Sequence, residues 1–364
     1  MKKVENISAA SFERMIFTSD IHGNYEDFKN LLNKLDYNSQ KDALFIAGDL
    51  VYKGAESLKV LRYVMDLCKK GNVHVVIGNC DFSWRAVRYE EFNHRLMEII
   101  SDSTPDMLHD MCSEIGYTAN KQEDTKKLIG LLEENFGEVF DYLEALPHII
   151  TAEDFVLTHD GLRSNNPSEW ADESSEKINS FMDNAPCFDK YIIVGHWPVD
   201  NYRKDRQDLT PVIDHSRKII SLDGGNVIKS TGQINAIVVN KHDFQNTRLY
   251  YSDKFQTLKV KCDSQGSEES HYISWPDNKV DIIRHGEEFT LCRQKNTGVE
   301  MEFPSNLLRE IDGEVICYSM TDYRIAAKAG DEIGLIKKYS DRSCVKKDGV
   351  VGWLDNNCID FSQK

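Results

Sequence analysis

Nine cysteines are scattered through 364 residues without a single C-x-x-C pair. That absence argues against a zinc ribbon, and the odd count at irregular intervals argues against a disulfide framework and for reduced thiols in a cytosol. No run of about eighteen apolar residues occurs, so no membrane-spanning helix is expected. The opening Met1-Lys2-Lys3-Val4-Glu5-Asn6 holds no apolar stretch that could serve as a secretory signal. Basic residues are in deficit, 44 Lys and Arg against 60 Asp and Glu, for a net charge of −16. Such a surface repels nucleic acid and anionic lipid at long range, which excludes an extended nucleic-acid coat, leaves room for a local basic pocket, and attracts divalent cations. Glycine (21) and proline (8) are too few for a fibrous or low-complexity chain, and 40% hydrophobic residues are too many for general disorder. At roughly 150 residues per domain, about two domains are expected.

The first half alternates in type. Short apolar runs at 14–19, 43–47 and 73–77 read as buried strands. Between them, Phe28, Leu31, Leu32 and Leu35, then Leu58, Leu61, Val64, Met65 and Cys68, recur at helical spacing. Strands alternating with helices predict parallel βαβ units. Residues 84–147 read as an all-helical insertion, and further strands are expected at 154–158, 191–194, 219–222 and 236–239. Past residue 252 the texture becomes short strands with turn signals. The polar stretch Cys262 to Ser270 reads as a linker, and Asp348-Gly349 between alternating runs signals a hairpin. The predicted organisation is a catalytic domain over 1–254, a connector over 255–310 and a small β-barrel over 311–364. The class is α+β, with α/β-type motifs in a two-sheet β-sandwich flanked by helices and a small all-β C-terminal region.

The chemistry sits where the strands end. The first runs into Asp20-Ile21-His22-Gly23, the second into Gly48-Asp49, the third into Gly78-Asn79-Cys80-Asp81, the fourth into His159 and the fifth into Gly195-His196. Ligands bind beyond the carboxyl ends of parallel strands, so Asp20, His22, Asp49, Asn79, His159 and His196 converge on one edge. A lone Asp after a strand is usually a turn or cap residue, and a lone His is usually structural. Five strand ends each delivering Asp, Asn or His, three of them directly after Gly, is a different matter. Carboxylates brought together this way repel unless a cation joins them. Mixed carboxylate, imidazole and amide donors suit Mn²⁺, Fe, Zn²⁺ or Co²⁺.

These ordered motifs, from Asp20-Ile21-His22-Gly23 through Gly48-Asp49-Leu50-Val51-Tyr52-Lys53-Gly54, Gly78-Asn79-Cys80-Asp81 and His159 to Gly195-His196, resemble the calcineurin-like metallophosphoesterases, and most closely their bacterial and phage serine/threonine phosphatases. The likeness spans about 14–239. It implies two divalent cations, Mn²⁺ first, with Asp20 and His22 on one metal, Asp49 bridging, and Asn79, His159 and His196 on the other. It also implies catalytic parts for Asp49, Asn79 and His196, direct attack by a metal-bound hydroxide, and a phosphoprotein or small phosphate ester as substrate. Lys53, Arg85 and Arg203 are candidate phosphate grips, and Asp223 a candidate for orienting a ligand His. The last forty to fifty residues resemble a bacterial SH3-like domain, which implies a peptide partner.

Two positions depart from the family pattern. Tyr52 and Cys80 stand where the protein phosphatases carry the Asp and His of the acid dyad that protonates the leaving group. A thiol is a poor acid for an alkoxide. The alternative is therefore a phosphodiester or dinucleoside polyphosphate substrate, whose leaving group needs little protonation. A metal-binding interaction module without turnover is the remaining reading.

Overall fold

The computed structural model describes residues 2–117, 125–172 and 177–362. It divides into two compact units, residues 1–198 with 211–253, and residues 199–210 with 254–364.

The first unit contains β1 (Val4–Asn6), β2 (Arg14–Thr18), α1 (Tyr25–Lys34), β3 (Asp42–Ile46), α2 (Ser57–Lys70), β4 (Asn72–Val75), α3 (Arg85–Arg88), α4 (His94–Ser101), α5 (Met107–Glu114), α6 (Thr125–Ala145), β5 (Ile149–Thr151), β6 (Phe155–Thr158), β7 (Tyr191–Val194), β8 (Val212–Asp214), β9 (Ile219–Ser221), β10 (Ile234–Asn240) and β11 (Arg248–Ser252). A six-stranded sheet runs β1-β5-β6-β7-β9-β8, and a five-stranded sheet runs β11-β10-β2-β3-β4.

Alternation along the strands explains why the sheets stack. Met15 and Phe17 of β2 face a core shared with Phe45, Phe155, Ile193 and Ile220, drawn from both sheets. Phe17 stacks on Phe45 at 4.8 Å between centroids and meets Phe155 edge-on at 5.0 Å. Ile16, one residue along, faces the other way into a core built with the helices. Both faces of β2 and β3 are thus buried, which is why these strands read as continuous apolar runs. The Asn24 side chain caps α1 by accepting from Asp27 N. Phe28, Leu31 and Leu32 of α1 and Leu58, Leu61 and Val64 of α2 then bury their apolar stripes on that second core. The expected α+β sandwich flanked by helices is the observed fold, and α3 to α6 lie in the predicted helical stretch 84–147, of which 118–124 fall outside the described residues.

The second unit is all strand apart from short 3₁₀ turns. Its largest sheet joins Ile359–Asp360, Gln256–Val260, Glu332–Lys338, Arg342–Lys347, Val350–Asp355 and Gln207–Asp208 in that order. The Asp348-Gly349 hairpin forms as expected, both residues at positive φ (+51° and +81°). Three expectations are corrected here. Residues 255–310 are not a separate connector but share one unit with 311–364, because Gln256–Val260 pairs with both Glu332–Lys338 and Ile359–Asp360. The polar stretch after Cys262 is not a linker, because Ser264 pairs with Ala327 and Ser267 N–H donates to the Arg324 carbonyl. The cysteines are not all reduced: Cys262 and Cys358, 96 residues apart, form a disulfide, while Cys187 and six others are free.

Residues 199–210 leave the first unit altogether. Asp200 and Gln207 are buried, the Tyr272 hydroxyl donates to Asp200 Oδ2, and Gln207 pairs in register with Val351. A truncation after Asp253 would strip this segment of its partners and expose Asp200, Gln207 and Leu209. We expect that truncated chain to be insoluble, or to melt well below the full chain in a thermal scan. Among the described residues, no helix is long and apolar enough to cross a membrane.

Candidate metal centre

Each of five strands in the first unit stops one to four residues before a polar side chain. Thr18 precedes Asp20 and His22, Ile46 precedes Asp49, Val75 precedes Asn79, Thr158 precedes His159 and Val194 precedes His196. The loops that follow are strained. Asp20 (φ +54°), His22 (+48°), Asp49 (+52°) and His196 (+68°) all adopt left-handed backbone. Non-glycine residues rarely do so, and such strain persists only where the surroundings impose it. The glycines ahead of the ligands have a steric reason. A Cβ on Gly78 would lie 2.1 Å from Asp49 N and 2.2 Å from its Oδ1, and one on Gly195 would lie 2.2 Å from Asp20 Oδ2. The strand ends approach this closely only because no side chain intervenes.

The ligand atoms converge. His22 Nε2 is 3.7 Å from Asp49 Oδ2 and 3.9 Å from Asp20 Oδ1. His159 Nε2 is 3.3 Å from Asp49 Oδ1. One ligand atom from each of Asp20, Asp49 and His159 falls within 4.8 Å of the others, and the same holds for His22, Asp49 and Cys80. The Asn79 amide lies 3.2 Å from His159 Nε2 and 2.7 Å from His196 Nδ1. Turned one way it donates to both imidazoles; turned the other, its oxygen joins their lone pairs in facing one point.

The outer nitrogens decide what these rings can do. His22 Nδ1 lies 3.3 Å from the Val51 carbonyl, His159 Nδ1 lies 2.7 Å from the Ala47 carbonyl, and His196 Nε2 lies 3.2 Å from Asn179 Oδ1. In the neutral rings, the form a cation would bind, each outer nitrogen donates its hydrogen to an oxygen and each inner nitrogen keeps a lone pair toward the cluster. His22 Nε2 is buried with no hydrogen-bond partner. Buried orphan donors and acceptors are rare, and a cation supplies the missing partner. This donor chemistry suits divalent cations; the sequence reading puts Asp20, His22 and Asp49 on one and Asp49, Asn79, His159 and His196 on the other, whereas the ligand atoms group as Asp20, Asp49 and His159 and as His22, Asp49 and Cys80.

Electrostatics agree. Two carboxylates with oxygens within 4.8 Å of each other repel by about 3 kcal/mol or more at an effective dielectric near 20. Burial, and then the charge of Asp223, hold the Asp20 carboxyl well above the usual range. Burial lowers His22 and His196 to about 4. Burial also opposes charge on His159, but Asp49 beside it outweighs burial and lifts the imidazole to about 10. Burial acts on Asp49 too, yet His159 holds its carboxyl well below the ordinary range. A field that keeps a proton on a buried imidazole is one that a cation can exploit in its place.

Of the other candidates, Lys53 lies close enough for its charge to lower His22. Arg85 lines a cavity that also reaches Asn79. Arg203 belongs to the second unit, where its guanidinium pairs with Asp208 at 3.5 Å. Asp223 makes a turn, accepting from Gly225 N at 2.7 Å.

Three residues escaped the sequence reading. Asp81 is fully buried and accepts from Gly78 N (2.8 Å), Leu50 N (2.8 Å) and Val51 N (3.1 Å), so one carboxylate ties the Asn79 loop to the Asp49 loop. Burial, then Asp49, raise it to about 7. Asn226 clamps the first motif by donating to the Ile21 carbonyl at 2.8 Å. The Lys177 ammonium lies 3.3 Å from the Asn79 amide. Only Asp81 left a signal, in its position two residues after Asn79. We expect Asp81→Asn, which turns an NH₂ toward one of three backbone donors, to cost about 1–3 kcal/mol of stability and about 10–100-fold in metal affinity. Denaturant melts and metal titration would check the two effects separately.

The calcineurin-like phosphoesterase family model matches residues 13–217, more than half of the chain. The chain belongs to that family. Its resemblance to curated members is local. A symmetrical bis(5'-nucleosyl)-tetraphosphatase of Buchnera aphidicola is 52% identical over 71 residues, 20% of this chain and 25% of the relative. The corresponding Vibrio cholerae enzyme is 26% identical over 163 residues, 45% of this chain and 50% of the relative. The chain thus spans half or less of these relatives' length. Among solved structures, a protein serine/threonine phosphatase from Saccharomyces cerevisiae aligns at 14% identity and a TM-score of 0.43, over 70% of this chain and 84% of that one. Calcineurin-like phosphoesterases are metal-dependent hydrolases that bind two divalent cations, and the two overlapping groups of ligand atoms that share Asp49 are candidates for holding them in this chain.

Proposed function

We propose that this calcineurin-like phosphoesterase hydrolyses a phosphoanhydride of a nucleoside polyphosphate, of the bis(5'-nucleosyl)-tetraphosphate kind named for its relatives. The observation that carries this reading is the state of Cys80. It stands where the family's phosphatases place their proton donor, and burial, reinforced by Asp49, raises its pKa far above the ordinary thiol value. An acid helps a leaving group only if it gives up its proton near the working pH. Tyr52, in the place of the dyad's Asp, brings no carboxylate to assist. An ester alkoxide therefore lacks a partner here, whereas a leaving phosphate, with a second pKa near 6, departs as an anion without one. The serine/threonine phosphatase reading rests on the shared motifs alone.

In this reading Asp20, His22, Asp49, Asn79, His159 and His196 hold two divalent cations, manganese first. When bound, such a pair acidifies water and neutralises phosphate oxygens. The chain's own groups do the rest. Lys53 and Lys177 bring positive charge to the phosphates, Arg85 stands at the cavity wall, and the carbonyls of Val51 and Ala47 hold two ligand imidazoles in the right tautomer. Arg203, paired with Asp208, is left out of this set.

The test is a competition in the presence of Mn²⁺ between a diadenosine tetraphosphate, a phosphoserine peptide and an aryl phosphate. The dinucleotide should show the highest kcat/KM, and chelation should abolish turnover of all three. A preference for the phosphopeptide would return the chain to the protein phosphatases.

A further inference from the structure

A cavity of about 470 Å³ opens from Asn79 into the helical insertion. Its size lies within the roughly 300–1,000 Å³ of small-molecule sites. It begins at a residue of the metal cluster, so whatever is attached to a phosphate held there has this space to extend into. Two features of its wall call for a planar, polar ligand. The first is Arg85: its guanidinium lies 4.0 Å from the centroid of the Phe82 ring, and its Nε is buried without a hydrogen-bond partner. The Trp84 ring lies 5.8 Å from the same guanidinium, so the wall here is a cation set among rings, and nucleobases stack on surfaces of that kind. The second is charge balance. Arg85, Arg95 and Lys177 share the lining with Glu98, Asp102 and Asp106. A trap for phosphate alone would not carry as many carboxylates as cations, whereas ribose hydroxyls and base edges need acceptors as well as donors. Phe92 adds a further ring to the same lining.

We propose that this cavity seats one nucleoside of the substrate, its base stacked against the Arg85–Phe82 pair, with Phe92 in contact and its 5′-phosphate toward Asn79 and Lys177. The assignment rests on the nucleoside polyphosphate reading above and names where the recognition lies. The helices after β4 then act as the specificity element of an otherwise general phosphate site.

Equilibrium binding to the Mn²⁺-loaded full chain tests this apart from turnover. Adenosine 5′-monophosphate should bind roughly tenfold or more tighter than inorganic phosphate, the gain expected from stacking one base. Phe82→Ala should erase most of that gain. Thr104, which lines the same cavity outside the metal cluster, offers a block: Thr104→Trp should erase the gain while phosphate affinity and aryl phosphate turnover stay within about twofold. The nucleotide binding no tighter than phosphate, or binding undiminished in Thr104→Trp, would overturn the proposal. A wild-type chain that binds the monophosphate tightly yet leaves diadenosine tetraphosphate intact would sink the proposed reaction and leave the nucleoside site standing.

Discussion

Asp49→Asn should lower turnover of any phosphate substrate by about 10³-fold or more, since losing one group at a reacting oxygen already costs about 10²–10³. Asp49 is the one side chain common to both ligand clusters, with one oxygen 3.7 Å from His22 Nε2 and the other 3.3 Å from His159 Nε2. An amide keeps its size but offers one neutral oxygen in place of two charged ones. It should therefore fail as a bridge, and metal content should fall in step with activity. The metal-free protein supplies a readout independent of turnover. Asp49 holds His159 protonated, so the folded state binds that proton more tightly than the unfolded chain does. The stability this confers is fully present below pH 6.5 and is lost as pH rises toward about 10. In Asp49→Asn burial acts on His159 with Asp49's charge gone, the imidazole titrates lower, and that fall of stability with rising pH should shrink. Thermal melts of both metal-free proteins across pH 6 to 10 would show it. A variant that keeps its metals, its turnover and the wild-type pH profile would end the two-metal account.

The converging cluster was legible because it obeys two local rules at once. A parallel strand must stop before a ligand can turn toward the sheet edge, so the apolar run ends just ahead of each polar residue. Where strand ends also crowd one another, glycine must come first, as at Gly78 and Gly195. Both rules leave marks within five residues of sequence. The residues that escaped obey no local rule. Lys177 lies in an irregular stretch between β6 and β7 with no periodicity to place it. Asp81 works across 30 and 31 residues, on the amides of Val51 and Leu50. The second unit was misdivided for the same reason. The two-residue strand Gln207–Asp208 pairs with Val350–Asp355, more than a hundred residues away, and Cys262 finds Cys358 at a separation of 96. A two-residue strand has no period to read, and cysteine spacing does not encode partnership. The hairpin at Asp348-Gly349 was legible because its two positive φ angles are a local demand met by local residues.

Gly195→Ala should weaken metal binding without altering any candidate ligand. Gly195 is not at positive φ, so alanine is tolerated by the backbone itself; the obstacle is the Asp20 carboxylate, 2.2 Å from where the methyl group would sit, with the Ser19 Cβ at 2.8 Å. Asp20 cannot rotate away freely, because the His196 N–H lies within 3.1 to 3.2 Å of both its oxygens. Either the carboxylate leaves that amide or the His196 loop moves, and each displaces a ligand. We expect a loss of metal affinity of at least about 10-fold, the lower end of what misplacing a ligand's support costs, with activity falling in parallel at limiting Mn²⁺ and partly recovering at high Mn²⁺. Gly130→Ala is the control. Gly130 lies inside α6 with nothing within 4 Å of the added methyl, so that change should raise stability by about 0.5–1 kcal/mol and leave metal binding alone. If Gly195→Ala bound Mn²⁺ as the wild type does, the close approach of the ends of β2 and β7 would be an accident of packing rather than the condition for assembling the site.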